Sequence, residues 1–333
     1  MKRINSKDVA KEAGVSQSTV SMILNNKKGA NFKKETIEKV MNAVEKLNYK
    51  PNILARNMKM NLANSIGIVI SKYIDSFLIP NILEGIRKIC IKNQNSITIC
   101  NWEYKQQTPD YIEYYQQKRI DGLIYVATID ENIKQISNEL NALKIPFVTI
   151  IAGYDIPQIT TITYNLYKGA FESTKHLIEK KYKNILYISP ENLNYGEMDR
   201  IKGYKEVISN FKLKENIIYI KDYKNANIEI EKYLKQNKNI DSVIASHTYL
   251  AYNAMKSAVK LNKKIPKDFG IISCDHNSYA PYTQIPLSTA DIPLIEMGEK
   301  SAEILFKKIK KEKHIKKFQC EPKLTIRESS SRE

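Results

Sequence analysis

From Ser65 onward the chain alternates short, almost continuously apolar runs with amphipathic stretches, and no other feature constrains its fold so strongly. The apolar runs fall at 66–70 (Ile-Gly-Ile-Val-Ile), 97–100, 122–127, 146–151, 185–189, 217–220, 242–245 and 269–274. Between them lie stretches of helical periodicity, among them 79–93, 168–181, 197–211 and 249–261. Strands that are apolar on both faces need cover on both faces, and strands joined through helices run parallel. The expected class for this region is therefore α/β, built on parallel sheets.

The first sixty residues read differently. Ser6 is placed to cap a short helix whose Val9, Ala10 and Ala13 face inward. Gly14 ends it and supplies the permissive backbone of a tight turn, and Val15 fills the corner. Ser16 caps a second helix from Gln17 to about Leu24, with Val20, Ile23 and Leu24 inward. A third helix, from about Lys33 to Leu47, shows the stripe Ile37, Val40, Met41, Val44 and Leu47. Two short helices joined by Ala-Gly-Val have helix-turn-helix spacing, in which the second helix enters the major groove of DNA. Gln17, Ser18 and Met22 then reach base edges, and the amide of Gln17 suits adenine. Ser16, Thr19, Ser21, Asn25 and Lys28 are placed for phosphates. On periodicity alone, a plain three-helix cap with polar outer faces is the alternative.

Charge favours a polyanionic partner. The net charge is +17, and residues 1–60 carry 11 Lys and 2 Arg against 1 Asp and 4 Glu. A general lysine bias accounts for the background but not for this concentration.

Other functions find little support. No run of 18 apolar residues exists, and Met1-Lys2-Arg3-Ile4-Asn5 is followed by no apolar segment, so neither a membrane partner nor export is expected and the chain is placed in the cytoplasm. Cys90, Cys100, Cys274 and Cys320 are scattered, consistent with reduced, buried thiols. Walker, GxGxxG, HExxH and GxSxG motifs are absent, and His176, His247, His276 and His314 lack metal spacing. No catalytic residue, cofactor or metal is expected.

The stretch Lys7-Asp8-Val9-Ala10-Lys11-Glu12-Ala13-Gly14-Val15-Ser16, followed by Ser18-Thr19-Val20-Ser21 and Leu24-Asn25, resembles the headpiece of the lactose/galactose-repressor family. The likeness continues through Asn48-Tyr49-Lys50-Pro51-Asn52, Leu54-Ala55-Arg56 and Ser65-Ile66-Gly67, and more weakly along nearly the whole chain. It implies an N-terminal all-α helix-turn-helix headpiece plus an α/β, periplasmic-binding-protein-like core of two doubly wound parallel-sheet subdomains. The corresponding division is 1–49 headpiece, 50–64 hinge helix and linker, and 65–333 effector-binding and dimerisation core. Within the core, subdomain one takes about 65–161 and 290–320, subdomain two about 162–289 and 321–333, with crossings near 160–164, 288–293 and 318–321. The closing segment Leu324–Ser329 matches the family's last strand.

The resemblance also implies function: a sequence-specific transcription regulator, a repressor, acting as a homodimer on a pseudo-palindromic double-stranded operator under control of a carbohydrate-like small molecule. Ser6 and Tyr49 join the expected DNA contacts, as do Asn52, Ala55, Arg56, Met58 and Lys59 of the hinge. Met58 matches the leucine that wedges into the minor groove. Where the family usually has arginine this chain has Met22, which cannot grip guanine but can touch a thymine methyl. The expected effector contacts are Asp75, Phe77, Arg200, His247 and Asp275. The alternatives are that Arg200 pairs with a carboxylate and that Asp275 caps the following turn. His247-Thr248 replaces the common Asn-Asp and Asn165 a common Asp, so the pocket is expected to have lost anionic acceptors. That points to an anionic effector, such as a sugar phosphate or sugar acid, or to a degenerate pocket. The other readings are a regulator with a vestigial pocket or a protein co-effector, and a sugar-binding or sugar-processing protein without regulatory role.

Overall fold

The computed structural model describes residues 4–24, 31–49, 62–70, 78–100, 109–127, 133–151, 159–275 and 277–332. The chain forms two compact units, Met1–Ala63 and Asn64–Glu333.

The first unit holds α1 (Ser6–Ala13), α2 (Gln17–Leu24) and α3 (Lys34–Lys46). Its core is Val9, Ala10, Ala13, Val20, Val40 and Ala43, with Val15, Ile23, Leu24, Val44, Leu47 and Tyr49 packed around them. Asn5, not Ser6, caps α1: its side chain accepts from the N–H groups of Lys7 and Asp8, and Asp8 answers the backbone N–H of Asn5. The longer amide reaches the second and third helical N–H groups, so Ser6 becomes the first helical residue. Gly14 sits at φ 65° in the left-handed region, its N–H bonded to Ala10 O. The stripe on α3 is rotated from its expected position. Ala43 is buried, whereas Ile37 and Met41 are 39% and 50% exposed.

The second unit contains two six-stranded sheets. One has the order β11-β5-β4-β3-β1-β2, from β1 (Ser65–Ile70), β2 (Ser96–Cys100), β3 (Leu123–Ala127), β4 (Phe147–Ile151), β5 (Thr161–Tyr164) and β11 (Lys317–Cys320). The other has the order β12-β10-β9-β8-β6-β7, from β6 (Ile185–Pro190), β7 (Ile217–Ile220), β8 (Ser242–Ala245), β9 (Gly270–Ser273), β10 (Ser288–Asp291) and β12 (Lys323–Thr325). All pairings are parallel except β10 with β12.

Helices cover both faces. On the first sheet α4 (Ile79–Lys92) and α11 (Leu294–Ile309) seal one core, and α5 (Asp110–Gln116) with α6 (Ile133–Ala142) the other. On the second, α7 (Leu166–Glu179) and α8 (Tyr195–Asn210) lie opposite α9 (Ala226–Gln236) and α10 (Thr248–Lys260). All four cysteines are free and buried.

The first crossing between sheets falls at Asn165, after β5, rather than at 161, because β5 hydrogen-bonds β4 and β11 in the first sheet. The second follows β10 and the third follows β11. The last strand is confined to Lys323–Thr325, and Glu328–Ser330 forms a 3-10 turn whose buried Ser329 donates to Ile271 O.

Helices α4 and α11 meet backbone to backbone. A Cβ on Gly85 would run into the Ile295 carbonyl, and one on Gly298 into the Ile82 carbonyl. Neither obstacle is a side chain that can turn aside. Gly85→Ala is therefore expected to lower stability by about 3 kcal/mol, the upper end of overpacking costs, read as a drop in the urea midpoint. An unchanged midpoint would show that the helices tolerate separation.

Candidate functional site

In the first unit, α2 presents the expected reading face. Ser16 Oγ accepts from the Thr19 N–H at 3.1 Å and lies 2.7 Å from Ser18 Oγ and 2.8 Å from Thr19 Oγ1, which fixes the start of the helix. Gln17 Nε2 donates to Ser6 Oγ at 2.8 Å. The capping serine expected of α1 instead holds the amide at the tip of α2. Ser16, Gln17, Ser18 and Ser21 are exposed, Thr19 and Met22 half-buried, and Tyr49 packs on the three-helix core.

In the second unit, ligand positions of a doubly wound sheet lie at the carboxyl ends of strands where the strand order reverses. In the second sheet that point falls between β6 and β8. After β6 comes α8, capped by Asn194, whose side chain accepts from the Glu197 N–H. Glu197 and Arg200 sit one turn apart on its inner face. After β8 comes His247, the residue that opens α10. Asp275 follows β9 by two residues, its N–H bonded to Ser273 Oγ.

These four side chains form one ionic cluster. Glu197 Oε1 lies 2.5 Å from Arg200 Nη1 and 2.9 Å from His247 Nε2. His247 Nδ1 lies 3.3 Å from Asp275 Oδ2, so the imidazole bridges two carboxylates. Ser189 Oγ donates to the second Glu197 oxygen at 3.4 Å. Glu197 is fully buried and Arg200 nearly so, and Arg200 Nε is buried with no hydrogen-bond partner among the described residues.

The electrostatics follow from this packing. Burial pushes Glu197 up, but Arg200 and His247 outweigh it and hold the carboxyl at about 2. Burial pushes His247 down, but its hydrogen bonds to Asp275 and Glu197 lift it to about 9, so it is cationic at neutral pH. Burial works against the Arg200 charge as well, and Glu197 overcomes it. Around the cluster stand Tyr164, a buried residue near enough for the charges of Arg200, Asp275 and Glu197 to act on its hydroxyl, and Tyr223, which stacks on Tyr249 with ring centroids 5.6 Å apart.

The structure thus brings together Arg200, His247 and Asp275, three of the five expected effector contacts. Asp75 and Phe77 lie outside the described residues, as do Asn25, Lys28, Asn52, Ala55, Arg56, Met58 and Lys59. Glu197, Tyr164 and Tyr223 were not expected. The i, i+3 spacing of Glu197 and Arg200 on one helix was the available signal for the first. Glu197 adds to this group a carboxylate that the sequence reading did not count, and Arg200 and His247 both engage it. A groove of about 540 Å³ lined by Leu193, Met198, Ile201 and Tyr219 lies on another face of α8 and contains none of the cluster. Among the described residues no cluster fit to hold a metal ion is found, and no helix is long and apolar enough to cross a membrane.

Comparison with known proteins gives a consistent pattern. Residues 6–52 match the profile of bacterial regulatory proteins of the lacI family, and residues 174–330 match a periplasmic binding protein-like domain. The HTH-type transcriptional repressor PurR of Vibrio cholerae serotype O1 is 28% identical over 332 residues, covering 97% of each chain. PurR of Vibrio atlanticus is 29% identical over 329 residues, covering 96% of this chain and 97% of its own. Among solved structures, the lac repressor dimer bound to operator and the anti-inducer ONPF superposes with a TM-score of 0.76 at 18% identity, covering 99% of both chains. The regulator CelR in complex with cellobiose gives 0.65 at 19%, covering 98% of this chain and 100% of that one.

Proposed function

The chain belongs to the lacI family of bacterial regulatory proteins, and from that premise we propose how its two units divide the work of a repressor. It is a DNA-binding transcription regulator and not an enzyme. In our reading α2 lies in the major groove, where Gln17, Ser18 and Met22 meet base edges and Ser16, Thr19 and Ser21 meet phosphates. Residues 50–64 serve as the hinge, and two copies pair through the core so that the headpieces span a pseudo-palindrome in the cytoplasm.

The core takes a small carbohydrate-like effector at the carboxyl ends of β6, β8 and β9. The observation that carries this is the ionic cluster at the switch point of the second sheet, in which buried Glu197 and Arg200 lie beneath the partly exposed His247 and Asp275. Polar groups of this kind are kept out of water only at a cost, and here they stand at the end of the sheet where ligands bind. An effector shifts operator affinity only by binding two core conformations unequally, and the three crossings at 165, 292–293 and 321–322 are where those conformations would differ. The test is operator titration with and without candidate sugars. An operator affinity that no small molecule moves would remove the effector role and leave a pocket that is vestigial or reads a protein.

The reading helix has its own test. Gln17→Ala is expected to weaken operator binding by about 1–3 kcal/mol while leaving binding to random DNA nearly unchanged. Equal losses on both DNAs would show that the residue does not read bases.

A further inference from the structure

We propose that Glu197 sets the ligand class of the core: by occupying Arg200 it leaves the pocket floor without net charge, so the site accepts an uncharged polyhydroxyl ligand and turns away carboxylates and phosphates. The inference rests on the reading of this cleft as the effector site. It reverses the expectation of an anionic effector that followed from Asn165 and His247-Thr248.

The argument is one of competition. The cluster holds two anions, Glu197 and Asp275, and two cations, Arg200 and His247, all linked through contacts of 2.5 to 3.3 Å. Arg200 is the natural anchor for an anionic ligand, since a guanidinium grips carboxylate or phosphate through paired N–H groups. Here one Nη1 already faces a carboxylate that is fully buried. An incoming anion would have to share the guanidinium with Glu197 through its remaining N–H groups, and so come to rest beside a buried carboxylate that has no water to retreat into, a like-charge approach that is costly. His247 offers no spare charge either, because each ring nitrogen faces a carboxylate.

What remains accessible suits a neutral hydroxylated molecule. His247 is one-third exposed and Asp275 partly so, which gives hydroxyl groups an acceptor at the cleft. The stacked Tyr223 and Tyr249, 38% and 46% exposed, add aromatic surface of the kind on which the C–H face of a sugar ring packs.

The experiment compares anions on the full-length protein. The heat-unfolding midpoint is measured with inorganic phosphate or D-gluconate against sodium chloride at matched ionic strength, for wild type, E197Q, R200L and E197Q/R200L. Wild type is expected to show no shift beyond the salt control. E197Q, which retains the shape and frees the guanidinium, is expected to gain an apparent phosphate affinity roughly tenfold or more above wild type. The double variant is expected to lose that gain. A wild type stabilised by either anion, with the effect gone in R200L, overturns the proposal, and that arm stands whether or not E197Q folds. A folded E197Q with no gain overturns it too. The effector reading fails by a different result, an operator affinity that no small molecule moves; if operator affinity instead responds to a sugar phosphate through Arg200, the core is an effector site and only the present inference falls.

Discussion

Raising salt from about 50 to 200 mM is expected to weaken operator binding on the order of a thousandfold, provided that six or more phosphates are neutralised. The N-terminal sixty residues concentrate the positive charge of the chain, and Lys7, Lys11, Lys33 and Lys34 stand exposed on the first unit. Each phosphate contact releases a condensed counterion, so the loss compounds with every contact, and a dimer doubles the number. Lys39 and Lys46 contribute less, because each is engaged by a glutamate, Glu35 and Glu12 respectively. The check is a fluorescence titration of labelled operator over that salt range, with sedimentation to establish the dimer. A slope near zero, or a monomer at micromolar concentration with operator present, would sink the expectation.

Arg200→Leu is expected to abolish any effect of an effector on operator affinity and to cost roughly 3–5 kcal/mol of core stability. The stability loss comes less from the missing arginine than from Glu197, which stays buried beside His247 without its guanidinium. Adding Glu197→Gln to Arg200→Leu should return much of the loss, because a neutral pair at the same positions has no charge to strand. The pH profile provides a second readout. In wild type the Glu197 carboxyl is held at about 2, against an ordinary 4.5, so its contribution is complete above 4.5 and is lost as pH falls toward 2. His247 is lifted from 6.5 to about 9, so its contribution is complete below 6.5 and is lost as pH rises through 9. In Arg200→Leu the acid-side contribution should shrink. Urea midpoints that fall by the same amount in the single and double variants would show that Glu197 is not the stranded group.

The architecture of the core was legible wherever burial required apolar residues. The eight runs read from the sequence coincide with β1 to β4 and β6 to β9 to within a residue or two. The three strands at the crossings escaped that reading, β5 and β10 because they are buried without being apolar, and β11 because only its last residue, Cys320, is buried. Thr149 Oγ1 donates to Thr161 Oγ1 at 3.2 Å, and Thr289 and Thr325 both donate to Asp291. Side chains that satisfy one another in this way leave no hydrophobic trace.

The candidate sites were legible in part and for similar reasons. Arg200 and Asp275 were visible through the resemblance, but the partner that decides what Arg200 can bind was not. A glutamate on a helix is ordinarily a solvated residue, and its i, i+3 spacing to Arg200 signals a pair without signalling that this turn of α8 faces inward over β6. Ser6 shows a different limit. A serine before an inward-facing valine is a sound cap signal, yet Asn5 stands one residue earlier with Asp8 in register to answer it.

The four buried thiols give the molecule built-in clocks. Burial pushes Cys90 and Cys100 up to about 11 and Cys274 and Cys320 to about 12, so a thiol reagent gains a nucleophile only when the surrounding structure opens. Their placement spreads the timing over distinct regions. Cys90 sits on the buried face of α4, Cys100 ends the edge strand β2, Cys320 ends β11 at the last crossing, and Cys274 stands between β9 and the ionic cluster. Peptide-resolved alkylation of the unlabelled wild-type chain therefore reports each region's opening separately, and a molecule that settles over Arg200 and His247 announces itself by slowing Cys274 alone.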